Sequence, residues 1–185
     1  MTINNTINLK NIIFILLAIV FGSCSSLKIM KTENTSILAL TATTSYLGGT
    51  GNGMIITLKN IETGEKYEAK KLSHFSSYCI VQNLKPGKYR VEKIVLDTGG
   101  NKFSNWSESV QQYFGEIEIE GNQKYYLGTF KGKVKIKFKN AISIQLENQI
   151  VPEKLKAVLK EQGTGWAEEE FKLIETVNRE ELIIY

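Results

Sequence analysis

The chain has little of what catalysis and cross-linking draw on. Among 185 residues there are one histidine, His74, two cysteines, Cys24 and Cys79, and two prolines, Pro86 and Pro152. That is too few nitrogen and sulfur donors for a zinc site, which takes three or four, and no metal or cofactor is expected. Two cysteines exclude a disulfide framework, so the domain must rely on its core. Long apolar runs are also missing. The longest, residues 12–21, has ten residues, half of the roughly 20 that cross a bilayer. Charge of one sign is weak as well: 23 Lys and Arg stand against 19 Asp and Glu, a formal +4. That balance is too mild for a nucleic-acid partner. There is no internal repeat and no low-complexity segment.

What is present begins at the N-terminus. Lys10, the apolar run and the small residues Gly22 and Ser23 have the order of an export signal, whose apolar region spans roughly 7–15 residues. Removing residues 1–23 leaves 162 residues and a charge of +3, because Lys10 goes with the signal. That length suits a single domain. An ordinary signal would leave Cys24 an incidental thiol. Phe21-Gly22-Ser23-Cys24, however, resembles the lipobox of bacterial lipoproteins, with Phe21 where leucine is commoner. The resemblance implies cleavage before Cys24, a diacylglycerol on its thiol and further acylation such as palmitate. Two or more chains hold a protein firmly on a membrane. By the same resemblance, Ser25 implies an outer-membrane position facing the periplasm. Residues 24–35 read as a polar tether.

From residue 36 the pattern is β. Expected strands cover 36–44, 54–60, 66–70, 78–82, 89–96, 114–120, 125–130, 134–139 and 142–146. Turn signals separate them: a glycine-rich loop over 46–53, Glu62-Thr63-Gly64-Glu65, Pro86-Gly87 as the centre of a type II turn, a long loop over 97–109, and Gly121-Asn122. Nine short strands so punctuated predict a sandwich or barrel. After residue 148 the period changes. Residues 152–160 carry apolar side chains at helical spacing behind Pro152, and 166–177 has acidic residues near its start, so two helices are expected there. The final Leu182-Ile183-Ile184-Tyr185 should dock on the domain or form an edge strand.

Two stretches carry a second resemblance. Leu84-x-Pro86-Gly87-x-Tyr89-x-Val91 looks like prealbumin-like (transthyretin-like) sandwiches such as carboxypeptidase regulatory-like domains. Phe114-x-Glu116-Ile117-x-Ile119-x-x-Gly-x-x-Tyr125-x-Leu127-Gly128 is similar to bacterial lipoproteins of that architecture. The fold expected is therefore mainly β: an antiparallel, prealbumin-like β-sandwich over 36–148 with a small α-helical C-terminal extension over 149–185. The resemblance implies a binding or structural role and no catalytic residues.

Three constellations could still carry function. His74 lies among Ser73, Ser76 and Ser77, which invites a hydrolase reading. A triad needs a base, an orienting acid and an oxyanion hole brought together in space, and nothing here resembles a nucleophile elbow. Tyr46, Phe103, Trp106 and Tyr113 border the glycine-rich and long loops. They would suit a sugar-binding surface or a plug at the open end of a sandwich. Lys131, Lys133, Lys135, Lys137 and Lys139 alternate with Val134, Ile136 and Phe138, so the five lysines share one strand face. That face could bind lipid headgroups, acidic glycans or an acidic protein. It could equally be a solvated face, neutralised if Glu116, Glu118 and Glu120 lie across from it in the same sheet. Cys79, in an apolar run, reads as a buried thiol. The function expected is a non-catalytic envelope lipoprotein, not an enzyme, that binds an envelope protein or glycan. An envelope hydrolase and a purely structural protein are the alternatives.

Overall fold

The computed structural model describes residues 27–46, 49–73, 76–98, 101–136, 140–162, 164–166 and 169–185. Cys24, His74, Lys137 and Lys139 lie outside them. The described strands are β1 (Ser36–Tyr46), β2 (Gly49–Asn52), β3 (Met54–Asn60), β4 (Lys66–Glu68), β5 (Lys70–Lys71), β6 (Tyr78–Leu84) and β7 (Gly87–Asp97). They continue with β8 (Lys102–Asn105), β9 (Glu116–Ile119), β10 (Lys124–Ile136), β11 (Asn140–Asn148), β12 (Phe171–Leu173) and β13 (Leu182–Ile184). Two helices are described, α1 (Glu108–Phe114) and α2 (Glu153–Glu161).

The strands form two sheets. The large one runs β13-β11-β10-β1-β6-β5, with β12 beside β10 and β2 beside β1. The small one runs β4-β3-β7-β8, with β9 beside β7. Most pairs are antiparallel, as expected. The longest ladder is parallel, however: β1 against β10 from Ile37↔Lys124 to Tyr46↔Val134. A parallel pair cannot be closed by a hairpin and needs a crossover. Here the crossover contains the whole small sheet. The inner faces meet in one core that includes Leu38, Leu40, Met54, Ile56, Val91, Ile94, Phe114 and Phe130. Gly132 permits a close approach, since a Cβ there would lie 2.9 Å from Leu96 Cδ2 of the small sheet.

The outer face of the large sheet divides in two. Its lower half is covered by Ile29, α2 and Trp166, which pack with Ile37, Ala39, Leu72, Ile80 and Tyr126 in a second apolar cluster. Helix α2 turns Leu155 and Leu159 inward, one turn apart as the helical period requires. This cover explains why β1 is buried on both faces from Ser36 to Ala42 and first becomes exposed at Thr43.

Several expectations are corrected. The helix expected over 166–177 is absent: Trp166 is buried and Phe171–Leu173 forms β12, parallel to Lys124–Tyr126. The reason is a bare stretch of sheet edge. Strand β11 pairs with β10 only from Thr129 onward, and β12 covers the rest, so pairing overrides local helix preference. The glycine-rich loop contains β2, which folds back on β1 at Thr43–Tyr46. The long loop over 97–109 contains β8 and the start of α1. Strands expected over 125–130 and 134–139 are continuous through Ile136 as β10. Residues 27–35, read as tether, are docked: Leu27 N donates to Leu72 O at 3.1 Å, Lys31 N donates to Thr164 O at 2.9 Å, and Ile29 is buried.

The Pro86-Gly87 link carries the chain from β6 in the large sheet to β7 in the small one. Gly87 has φ +148°, and a Cβ there would meet Asn60 Nδ2 at 2.9 Å. Tyr89, fully buried, donates its hydroxyl to Lys85 O at 2.7 Å. This is the corner bond by which a sandwich tyrosine ties a strand to the backbone just upstream. Tyr89→Phe should therefore cost about 1 kcal/mol in chemical unfolding with no change of fold. Trp166→Ala, which empties the largest fully buried side chain, should cost about 3–5 kcal/mol in the same assay.

A basic strip on the large sheet as candidate functional site

Among the described residues no element covers the upper half of the large sheet's outer face, although outward-facing Ser143 and Ala141 of β11 are buried there. Strand alternation turns Phe130 and Val134 into the core and Lys131 and Lys133 outward, both exposed. Register sets Lys131 between Thr43 of β1 and Gln145 of β11. It sets Lys133 between Ser45 and Ser143 in the same way. Lys135 stands in register with Ala141. Ser143 is buried, so the flank that reaches solvent is Thr43, Ser45 and Gln145, hydroxyls and an amide that can donate to anions without cancelling a cation. Among the described residues the carboxylate within reach is Glu147, 3.8 Å from Lys131, with both side chains well exposed. Such a pair is worth about 0–1 kcal/mol. No carboxylate is within ion-pair distance of Lys133 among the described residues.

The acidic ladder does not neutralise this strip. Strand β9 belongs to the small sheet, where Glu116 stands opposite Arg90 and Glu118 opposite Lys88. Glu120 instead meets Lys172 at 2.5 Å, which raises the Lys172 pKa. Elsewhere on the small sheet Glu92 is paired. Lys66 contacts Glu92 at 2.6 Å and holds its carboxyl below the ordinary range, chiefly by hydrogen bonding, with Lys59 at 3.7 Å.

The four aromatic residues do not converge on one surface. Tyr46 and Phe103 pack ring to ring at 4.9 Å, tilted by 50°, and both lie against the core. One comes from each sheet, so they close the end of the sandwich. Tyr113 is in the core, contrary to its expected place on a binding surface. It sits on the buried face of α1, three residues after Val110, and its hydroxyl accepts a hydrogen bond from Leu146 N at 2.9 Å. Burial raises its pKa. Trp106 alone is exposed, at 71 %.

Helix α1 is an element whose signal was in the sequence. Ser107 caps it, accepting from Val110 N; Glu108 opens it; Val110, Tyr113 and Phe114 recur at helical spacing; Gly115 ends it. Docking of residues 27–35 had no comparable signal, because Leu27, Ile29 and Met30 form too short an apolar group in a polar stretch to mark an element. Ser76, near His74, is engaged in its own turn: its hydroxyl accepts from Tyr78 N at 3.0 Å. Among the described residues no group of three or more His, Cys, Asp or Glu has metal-site geometry. An open cleft of about 330 Å³ lies between β9 and β12, lined by Glu116, Glu118, Glu120, Lys172 and Glu175 among others.

The chain matches no protein-family model and no curated protein sequence.

Cys79 is buried on the inner face of β6, and desolvation pushes its thiol up to about 12 from 9.0. The folded thiol is therefore protonated at pH 8, and iodoacetamide should modify it only in denaturant. A raised pKa favours the folded state fully below the unfolded value. This contribution should be constant below about pH 9 and decline as pH rises toward the folded value, as unfolding free energies measured across alkaline pH will report.

Proposed function

We propose that this chain is a lipid-anchored protein of the bacterial cell envelope, held through Cys24 in the outer membrane facing the periplasm. Its β-sandwich serves as a non-catalytic binding or accessory module for an envelope protein or glycan. The observation that carries this reading is where the domain starts. Leu27, three residues past Cys24, is already bonded to Leu72 and packed on the large sheet. The lipobox-like residues thus stand immediately before an ordered domain, where an anchor would have to be. Among the described residues no helix is long and apolar enough to cross a membrane, and acylation would hold such a domain on a bilayer without one.

We also read the sandwich as prealbumin-like. Support comes from Leu84-x-Pro86-Gly87-x-Tyr89-x-Val91, which spans the step between the two sheets with Leu84, Tyr89 and Val91 all buried. The partner-binding role draws on the strip at Lys131 and Lys133, whose charge is matched only in part by Glu147.

Intact mass and membrane fractionation of the native protein against Cys24→Ala test the anchor. The native chain should lack residues 1–23, carry added acyl mass and sediment with membranes. Cys24→Ala should carry no acyl mass. A native protein that is soluble and unacylated ends the lipoprotein reading.

A further inference from the structure

We propose that the uncovered upper half of the large sheet's outer face lies against the membrane, with Lys131 and Lys133 set over anionic lipid headgroups. This inference rests on lipid attachment at Cys24 and adds to it an orientation and a contact surface. The first argument is reach. Residues 24–26 separate the anchor from Leu27, and three residues extend about 10 Å at most. The headgroup layer is therefore held close to Leu27 whatever path those residues take.

The second argument is where Leu27 sits. Its backbone pairs with Leu72, and its side chain packs on the outer-face cluster that contains Leu72 and Ile80. The chain joins the domain on the same face that carries the lysine strip. From β5 to β10 is three strand spacings, about 14 Å. Helix α2 and Trp166 occupy the lower half of this face, which leaves the upper half to meet the bilayer.

The third argument is charge. Lys70 stands opposite outward-facing Ile80 and is exposed, and Lys28, next to Leu27, is exposed too. With Lys131 and Lys133 they outnumber the carboxylates beside them, Glu68 in the cleft it shares with Lys28 and Lys70 and Glu147 next to Lys131, which leaves the anchored side basic. On the small sheet Glu92, Glu116 and Glu118 face Lys66, Arg90 and Lys88. Lipid phosphates are the anions that an anchor at this position brings within reach of the basic side. The flanking Thr43, Ser45 and Gln145 can donate hydrogen bonds to them.

The test uses the acylated, membrane-reconstituted chain carrying one added cysteine for an environment-sensitive dye. Gln145→Cys reports on the strip, and Glu62→Cys, exposed in the turn after β3, is the control. Cys79 is buried and does not compete for label. In vesicles containing phosphatidylglycerol, the dye at Gln145→Cys should shift to the blue and be shielded from aqueous iodide, while the control stays open. K131E/K133E should abolish the shielding at unchanged acyl mass. Each lysine removed lowers the ratio of docked to undocked protein about fivefold, before any repulsion from the new glutamates. Equal quenching at both positions in acylated protein overturns the proposal, as does shielding that survives K131E/K133E. Shielding that appears only on adding an acidic glycan or protein assigns the strip to that partner and overturns the lipid contact. An unmodified Cys24, seen in the mass before any vesicle is made, overturns the anchor itself and is thereby distinguished from failure of the orientation.

Discussion

The parallel ladder between β1 and β10 is the constraint on which the other elements depend. It joins the first described strand to one nearly ninety residues later, with Ile37 opposite Lys124 and Tyr46 opposite Val134. Each of these strands then recruits a flank: β6 and β2 on β1, β11 and β12 on β10. Everything between them, the small sheet and α1 included, is the connection that such a pair demands. The cost of closing that connection is entropic and is met only when the inner faces of both sheets bury together. The core and the ladder are therefore one cooperative unit.

Because the ladder is long, its two ends have different surroundings. At the lower end the outer face is sealed by Ile29, α2 and Trp166. Lys31 lies 5.0 Å from the Trp166 ring centroid. Lys124, 3 % exposed, donates to Trp166 O at 2.9 Å and sits 4.5 Å over the Phe171 ring. A buried ammonium is tolerated only when hydrogen-bonded or paired, and here a carbonyl and an aromatic face are among its partners. At the upper end no described element covers the sheet, and the outward residues that reach solvent include Thr43, Ser45, Lys131, Lys133 and Gln145. One sheet thus provides stability at one end and a basic surface at the other.

The same division explains why ion pairs explain little of the fold. Among the described residues they are mostly half-exposed surface pairs, Lys85 with Glu65 and Lys156 with Glu153 among them, and such contacts contribute little. Lys71 and Asp97, at 3.1 Å and each 16 % exposed, form the most sheltered of them. Stability lies in the two apolar clusters and in hydrogen bonds that fix corners, such as Ser36 donating to Glu120 O while accepting from Gln123 N.

Local pattern was enough for much of the secondary structure. Strand-like runs between turn signals marked β1, β3, β7 and β11, clean alternation marked β9, helical spacing behind Pro152 marked α2, and Ser107 to Gly115 carried a full set of helix signals. The outward lysines of β10 were legible for the same reason: side chains alternate across a strand whatever the strand pairs with. Pairing itself was not legible. Whether Glu118 faces Lys88 or the lysine strip depends on which sheet receives β9. Whether residues 171–173 coil or extend depends on a gap in the edge of β10. Whether Tyr113 reaches solvent depends on which face of α1 meets the core. Ile29 and Trp166 became core residues only once the large sheet offered them an apolar outer face. The sequence by itself determined which residues can share a face, because that follows from backbone geometry. The tertiary structure decided what each face meets, because burial and strand pairing join residues that the chain separates.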